Sequence, residues 1–188
     1  MQEASRDAKT LNAALPDDLI DSAIAVLKTA EELDIAIASA ESCTGGLIAS
    51  LLTDIEGVSH VFDRGFVTYS IASKCDLLGI PPQMVEREGV VSEPVARAMA
   101  EGALNRSEAG VTVAITGFAG KGDPSDEVGL VHIACARDDG VTDHRVCHFG
   151  DIGRGATRVE TLRVAIEMLG ECISALGTAR SRNNGAET

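Results

Sequence analysis

Just after Pro16 and Asp17, apolar residues recur at three- and four-residue intervals: Leu19, Ile20, Ala23, Ile24, Leu27 and Ala30 make one stripe, which predicts an amphipathic helix. The pattern then changes. Residues 34–40, "DIAIASA", form a short unbroken apolar run, as in a strand buried on both faces. Helical spacing resumes in "GGLIASLLTDI", "FDRGFVTYS" (62–70) predicts a second strand, and "IASKCDLLG" a helix that ends at Gly79, with Pro81 and Pro82 stopping it. Ser92 is placed to N-cap a helix over "EPVARAMAEGALNR", with Glu93 in its first turn and Pro94 tolerated there. A third strand, "GVTVAIT" (110–116), leads into the polar, glycine-rich loop "GFAGKGDPSDE" (117–127). "VGLVHIACAR" and "VTDHRVCHF" flank Asp138-Asp139-Gly140 and so predict an antiparallel hairpin, and a last helix covers about 155–176.

This order of elements predicts an α/β fold, a three-layer α/β/α sandwich around a mixed, partly parallel sheet. One domain is expected over residues 16–176, with residues 1–15 and 177–188 polar or small and disordered. Ligands of such folds sit beyond the carboxyl ends of the strands. Three segments end a strand with polar or glycine residues, "ESCTGG", "TYS" and "TGFAG", and are expected to converge there.

Composition narrows the function. A chain of 188 residues with 45% hydrophobic content suits one domain with a sizeable core. A net charge of −13 leaves no basic face for a general nucleic-acid binder, and the absence of tryptophan argues against base-stacking platforms. Five scattered cysteines without a C-x-x-C pair suit a reducing cytoplasm. No apolar run reaches membrane-spanning length, so a cytoplasmic protein with no membrane or nucleic-acid partner is expected. The alanine-rich helix "VARAMAEGAL" suits close packing and suggests a homo-oligomer.

The candidate chemistry centres on "AESCTGG", where Ser42 and Cys43 stand side by side. Gly45 and Gly46, opening a helix, are expected to leave free N–H groups for an anion or a developing oxyanion. The segment matches neither the P-loop spacing nor the G-x-S-x-G elbow. If strand alternation persists through the turn, Ser42 and Cys43 point in opposite directions. A serine nucleophile needs a base, and none of His60, His132, His144 or His148 follows a strand end near this turn. His144 and His148, four apart on one strand face, are a possible metal pair with no third ligand in view. Lys74 sits one turn into the helix after "TYS", and a lysine serves as base if burial lowers its pKa.

Taken together, "AESCTGGLIASLLTDIEGVSHVFDRGFVTYSIASKCDLLGI", "GVVSEPVARAMAEGAL" and "AITGFAG" resemble the C-terminal domain of the CinA family, whose stand-alone members include the PncC-type nicotinamide-nucleotide amidases. The likeness covers roughly residues 17–176. It implies hydrolysis of the carboxamide of nicotinamide mononucleotide to nicotinate mononucleotide and ammonia, without metal or organic cofactor. By the same mapping Ser42 is the nucleophile and Lys74, in the Y-S-x-x-x-K segment, its base. Glu41, Thr44, Gly45, Gly46, Tyr69, Thr116, Gly117, Ala119 and Gly120 are then expected to line the pocket, with Arg64 and Arg154 as candidates for the phosphate. Two segments depart from the family pattern: the loop reads "KGDPSDEVGL", shortened and without the family's Lys-Pro pair, and the family's "GDR" becomes Gly153-Arg154. These departures leave a second expectation open, a non-catalytic nucleotide-binding or partner-binding module on the same fold.

Overall fold

The computed structural model describes residues 15–186, and the side chains of residues 15–182. Of the N-terminal segment expected to be disordered, all but Leu15 lies outside the described residues; Leu15 itself is buried. The chain runs α1 (Asp17–Glu32), β1 (Ile37–Glu41), α2 (Leu47–Thr53), β2 (Phe62–Val67), α3 (Ile71–Leu78), α4 (Pro82–Glu88), α5 (Glu93–Leu104), β3 (Val111–Gly117), β4 (Leu130–Arg137), β5 (Thr142–His148) and α6 (Arg154–Ala186). The strands form one five-stranded sheet in the order β2-β1-β3-β4-β5. β2, β1 and β3 are parallel, and β4 and β5 are added antiparallel, so the sheet is mixed as the pattern predicts.

Strand alternation sorts the core into two layers. Ile37, Val111, Val113, Ile115, Val131 and Ile133 face α1, α2 and α6. Ala40, Ala114, Ala134 and Ala136 face α3, α4 and α5. On that second face the central strands offer mostly alanine methyls, and α5 answers with Ala96, Ala100 and Ala103, all fully buried, while the Thr112 hydroxyl donates to the Ala100 carbonyl at 2.8 Å. The small-residue face that suggested an oligomer contact is thus occupied by the protein's own sheet.

Two elements differ from the sequence pattern. α3 does end before Gly79 as expected, but Pro82 also opens α4, which the pattern did not predict, because proline is pre-organised for a first helical turn whose N–H has no intrahelical partner. α6 continues ten residues past the expected end, through Ala186, where residues 177–188 were expected to be disordered. Leu176 is buried, and Arg180 reaches back to the Asp138 carboxylate at 2.6 Å, which ties the extension to the hairpin. Among the described residues no helix is long and apolar enough to cross a membrane.

The connections place the site. α2 links β1 to β2 over one face, whereas α3, α4 and α5 link β2 to β3 over the other. The chain therefore changes face between β1 and β3, and the crevice beyond their carboxyl ends is where such sheets hold ligands.

Candidate active site

β1 ends at Glu41, and residues 42–46 turn the chain into α2. Glu41 is buried, and its carboxylate accepts hydrogen bonds from the amides of Gly46 (3.0 Å), Ile48 (3.1 Å) and Ala49 (2.9 Å). A helix leaves its first amides without internal partners, and here one carboxylate takes three of them. The amides expected to stay free for an anion are filled from within. Gly45 and Gly46 hold φ of 63° and 94°, left-handed values that side chains resist, which lets the turn fold back over Glu41. The Ser42 amide donates to the Ile115 carbonyl at 3.0 Å and fastens the turn to β3.

On the other side of β1, Ser70 and Ser73 cap α3 reciprocally: the Ser73 amide donates to the Ser70 hydroxyl (3.0 Å) and the Ser70 amide to the Ser73 hydroxyl (3.1 Å). This fixes the first turn of α3, so that Lys74 and Leu78, four apart, both face inward. Lys74 is completely buried. Its Nζ donates to the Thr68 carbonyl at 2.6 Å and lies 3.0 Å from Ser42 Oγ. Burial disfavours the ammonium and pulls the Lys74 pKa down to about 8, with Cys43 and Cys75 pulling the other way. Burial also pushes the Cys43 thiol up to about 11, so it stays protonated near neutrality.

Ser42 and Cys43 open onto a cavity of about 280 Å³. Its far wall is Thr116, Gly117, Phe118, Ala119 and Gly120, its flank Val90 and Val91, and its rim Tyr69, Lys121, Gly122 and Arg154. The three strand-end segments do converge. Gly117 is dictated by packing: a β-carbon there would lie 2.8 Å from the Leu130 carbonyl oxygen of β4. The Thr116 hydroxyl donates to the Val90 carbonyl (2.8 Å), and Arg154 Nη2 donates to the Tyr69 hydroxyl (3.4 Å). Lys121 Nζ stands 3.2 Å from the Asp151 carboxylate at the rim.

Some expected residues fall elsewhere. Glu41, Thr44, Gly45 and Gly46 shape the turn and do not line the cavity. Arg64 is turned away, bonded to Asp63 (2.7 Å) and to the Arg106 carbonyl (2.9 Å) beside the start of β3. Because β1 stops at Glu41, strand alternation does not extend to the turn, and Ser42 and Cys43 both face the cavity. His144 and His148 do not meet: His144 Nε2 lies 3.0 Å from His132 Nδ1, while His148 Nδ1 lies 2.6 Å from the Glu127 carboxylate. The sequence reading missed Val90, Val91, Phe118, Lys121 and Gly122 at the cavity, and Arg158, whose Nη2 donates to the Thr44 carbonyl. The one available signal was the four-residue spacing of Arg154 and Arg158, which puts both on one helix face.

Residues 20–173 match the family described as CinA C-terminal domain. The chain is 42% identical over 164 residues to a CinA-like protein of Syntrophus aciditrophicus, covering 86% of this chain and 38% of that protein. It is 52% identical over 111 residues to a CinA-like protein of Akkermansia muciniphila, covering 58% of this chain and 27% of the relative, so it spans well under half of these curated relatives. Among solved structures it is similar to the competence/damage inducible protein CihA from Agrobacterium tumefaciens (TM-score 0.79, 44% identity, 82% of this chain and 95% of that one). It is also similar to a competence-damaged protein (CinA) superfamily protein from Escherichia coli (TM-score 0.71, 33% identity, 90% and 92% of the two chains).

Proposed function

The chain belongs to the CinA C-terminal domain family, and from that premise we propose that it is a hydrolase that deamidates nicotinamide mononucleotide through a Ser42 nucleophile and a Lys74 base. The observation that carries this reading is the buried lysine, with Nζ 3.0 Å from a serine hydroxyl that faces an open cavity. A silent nucleotide-binding or partner-binding module has no need to bury a lysine against a serine, since the burial destabilises the fold.

The chemistry follows from the atoms. With a pKa of about 8, about a tenth of Lys74 is neutral at pH 7. A neutral amine has two N–H bonds and one lone pair. The Thr68 carbonyl holds one N–H, which helps aim the lone pair at Ser42. Ser42 Oγ attacks the carboxamide carbon as its proton passes to Lys74, giving a tetrahedral oxyanion. Of the amides in residues 42–46, those of Ser42, Gly45 and Gly46 are already bonded to Ile115, Ser42 and Glu41. The amides of Cys43 and Thr44 donate to no backbone carbonyl among the described residues, the Cys43 amide having only its own thiol beside it, and they are the donors proposed for the oxyanion. Collapse of the intermediate breaks the carbon–nitrogen bond, and Lys74 returns the proton to the leaving ammonia. Water activated by the same lysine then hydrolyses the Ser42 ester.

Arg154, at the rim of the cavity, is the residue proposed to meet the substrate phosphate. The test is ammonia release from nicotinamide mononucleotide by purified protein. Saturable release by the wild type and none by Ser42→Ala supports the reading; release unchanged in Ser42→Ala, or none from the folded wild type, sinks it.

A further inference from the structure

We infer that Arg158 is a positioning residue, a clamp that holds the nucleophile turn in its working shape from outside the cavity; this rests on the serine-nucleophile reading above. The turn of residues 42–46 is secured on three sides. The Ser42 amide is bonded to β3, and Glu41 holds the Gly46 amide from below. The third hold is Arg158, on the second turn of α6, whose Nη2 donates to the Thr44 carbonyl across 114 residues of sequence. The guanidinium closes on the bare side of the turn, where a β-carbon at Gly45 would lie 3.4 Å from Nη2. Fixing the Thr44 carbonyl fixes the peptide plane that carries the Gly45 amide, which donates to the Ser42 carbonyl at 3.1 Å; with the Ser42 amide tied to β3, the Cys43 and Thr44 amides proposed to hold the oxyanion then lie in a segment held at both ends.

Two details separate this role from substrate binding and from plain stability. Arg158 does not line the cavity, whereas Arg154, one turn earlier, does. The Thr44 hydroxyl and Arg158 Nε are both buried without a hydrogen-bond partner among the described residues. A contact selected for stability alone does not leave such groups unpaired, because each one disfavours folding. The two arginines therefore divide the work: Arg154 faces the ligand, and Arg158 faces the turn.

The experiment follows Ser42 itself, so that it does not depend on the identity of the substrate. A fluorophosphonate probe reacts by forming a Ser42 Oγ–phosphorus bond and breaking the phosphorus–fluorine bond; fluoride leaves, and the serine proton passes to Lys74. Intact mass locates the label, and its absence from Ser42→Ala controls for the site. Arg158→Ala is expected to lower the labelling rate about 30- to 100-fold and kcat on nicotinamide mononucleotide to a similar degree, with KM and the apparent pKa of the pH–rate profile close to wild type. Arg154→Ala is expected to do the reverse, raising KM with little effect on labelling. Labelling and kcat within threefold of wild type in Arg158→Ala, or a loss confined to KM, overturns the assignment. If Arg158→Ala fails to fold, Arg158→Lys decides. A fall of about tenfold in labelling at an unchanged Tm supports the clamp, since a lysine lacks the planar fork, and a wild-type rate overturns it. A wild type that labels at Ser42 but releases no ammonia from nicotinamide mononucleotide refutes the substrate and leaves the clamp standing.

Discussion

Burial lowers the pKa of a basic group in two places, on opposite sides of β3. On the parallel side it is Lys74, completely buried, 3.0 Å from Ser42 Oγ. On the antiparallel side it is His132 and His144, which burial pulls below the ordinary histidine value and which are bonded to each other at 3.0 Å. The His144 ring is also 3.5 Å from the Glu93 carboxylate. In their neutral forms His132 can donate to His144 and His144 to Glu93, so the histidine chain closes on itself. Lys74 instead ends on a hydroxyl that opens into a cavity. His132 is the cross-strand partner of Thr116, a cavity wall, yet it does not line the cavity. A depressed pKa alone therefore does not mark a catalytic base; what the base is pointed at does.

The sharpest way to break this comparison is to remove the lysine and its target. Ser42→Ala and Lys74→Ala are each expected to lower ammonia release by about 10³-fold or more while the circular dichroism spectrum stays native. Lys74→Arg is expected to be equally inactive, because arginine does not surrender its proton near neutrality. Stability should move the other way in Lys74→Met. The folded Lys74 pKa of about 8 lies below the unfolded value of 10.5, so the charged form is penalised by folding. That penalty is fully present below pH 8 and fades as pH rises toward 10.5. Relieving it is worth about 3 kcal/mol, less about 1–2 for the unpaired Thr68 carbonyl, so a net gain of about 1–2 kcal/mol is expected at pH 7. An inactive but less stable Lys74→Met would place the lysine among structural residues.

The fold was largely legible, because burial on a two-sided sheet writes itself as apolar runs: residues 34–40 and 110–116 contain all but the last residue of the inner strands β1 and β3. What was illegible depended on contacts distant in sequence. Nothing local says that the Glu41 carboxylate folds back onto α2 and takes the Gly46 amide, or that the Gly45 amide donates to the Ser42 carbonyl. Nor does the sequence of "VFDRG" say that Arg64 reaches the Arg106 carbonyl, 42 residues on. The α6 extension was read as disordered because "GTARSRNNGAET" is polar, whereas its hold on the hairpin comes from Arg180 and Asp138. Ser42 and Lys74 were candidates by their places just after strand ends, their roles came from the family resemblance, and the structure sets them 3.0 Å apart.

The pH–rate profile gives a middle-sized effect. kcat/KM is expected to rise with an apparent pKa near 8 as Lys74 loses its proton, so that activity at pH 8.5 exceeds that at pH 6.5 by roughly twenty- to thirtyfold. The histidine pair should leave this curve alone. His144→Gln is expected to keep activity at pH 8 within about threefold and to change acid stability instead. With both histidines titrating below 6.5 when folded, the unfolded chain binds more protons as pH falls through about 6.5, and the native state loses stability there. Glu93 opposes that loss by favouring the protonated rings, while Arg97 beside His144 and His148 near His132 add to it. Urea midpoints at pH 7.5 and 5.5 should therefore differ less in His144→Gln than in the wild type. A His144→Gln protein that shifts the activity pKa would join the two centres into one.

The altered loop carries a smaller expectation. Only Lys121 and Gly122 of residues 121–127 reach the cavity, and both sit at its rim, away from Ser42 and Lys74. Grafting a family-like loop there is expected to lower KM several-fold and leave kcat within a few fold. A rise in kcat of about a hundredfold would show that the loop helps to build the transition state.

Cys43 is the smallest lever and the most informative about the turn, because it shares the cavity with Ser42. Proximity alone does not separate a thiol from a hydroxyl as nucleophile; protonation and partner do. Burial holds the Cys43 pKa near 11, so only about one thiol in 10⁴ is ionised at pH 7. Lys74 Nζ, the base proposed for this site, is bonded to Ser42 Oγ and to the Thr68 carbonyl, and no hydrogen bond joins it to Cys43. Cys43 is 6% exposed and packs with the core that includes Ile48 and Ile115, so its sulfur acts as a small apolar filler. Cys43→Ala removes one heavy atom and is expected to reduce stability by about 1 kcal/mol and activity by less than threefold. Iodoacetamide should accordingly label Cys43 slowly, with activity surviving until it does. A folded Cys43→Ala without turnover, matched by rapid inactivation of the wild type with thiol reagents, would transfer the nucleophile's role one residue along the turn.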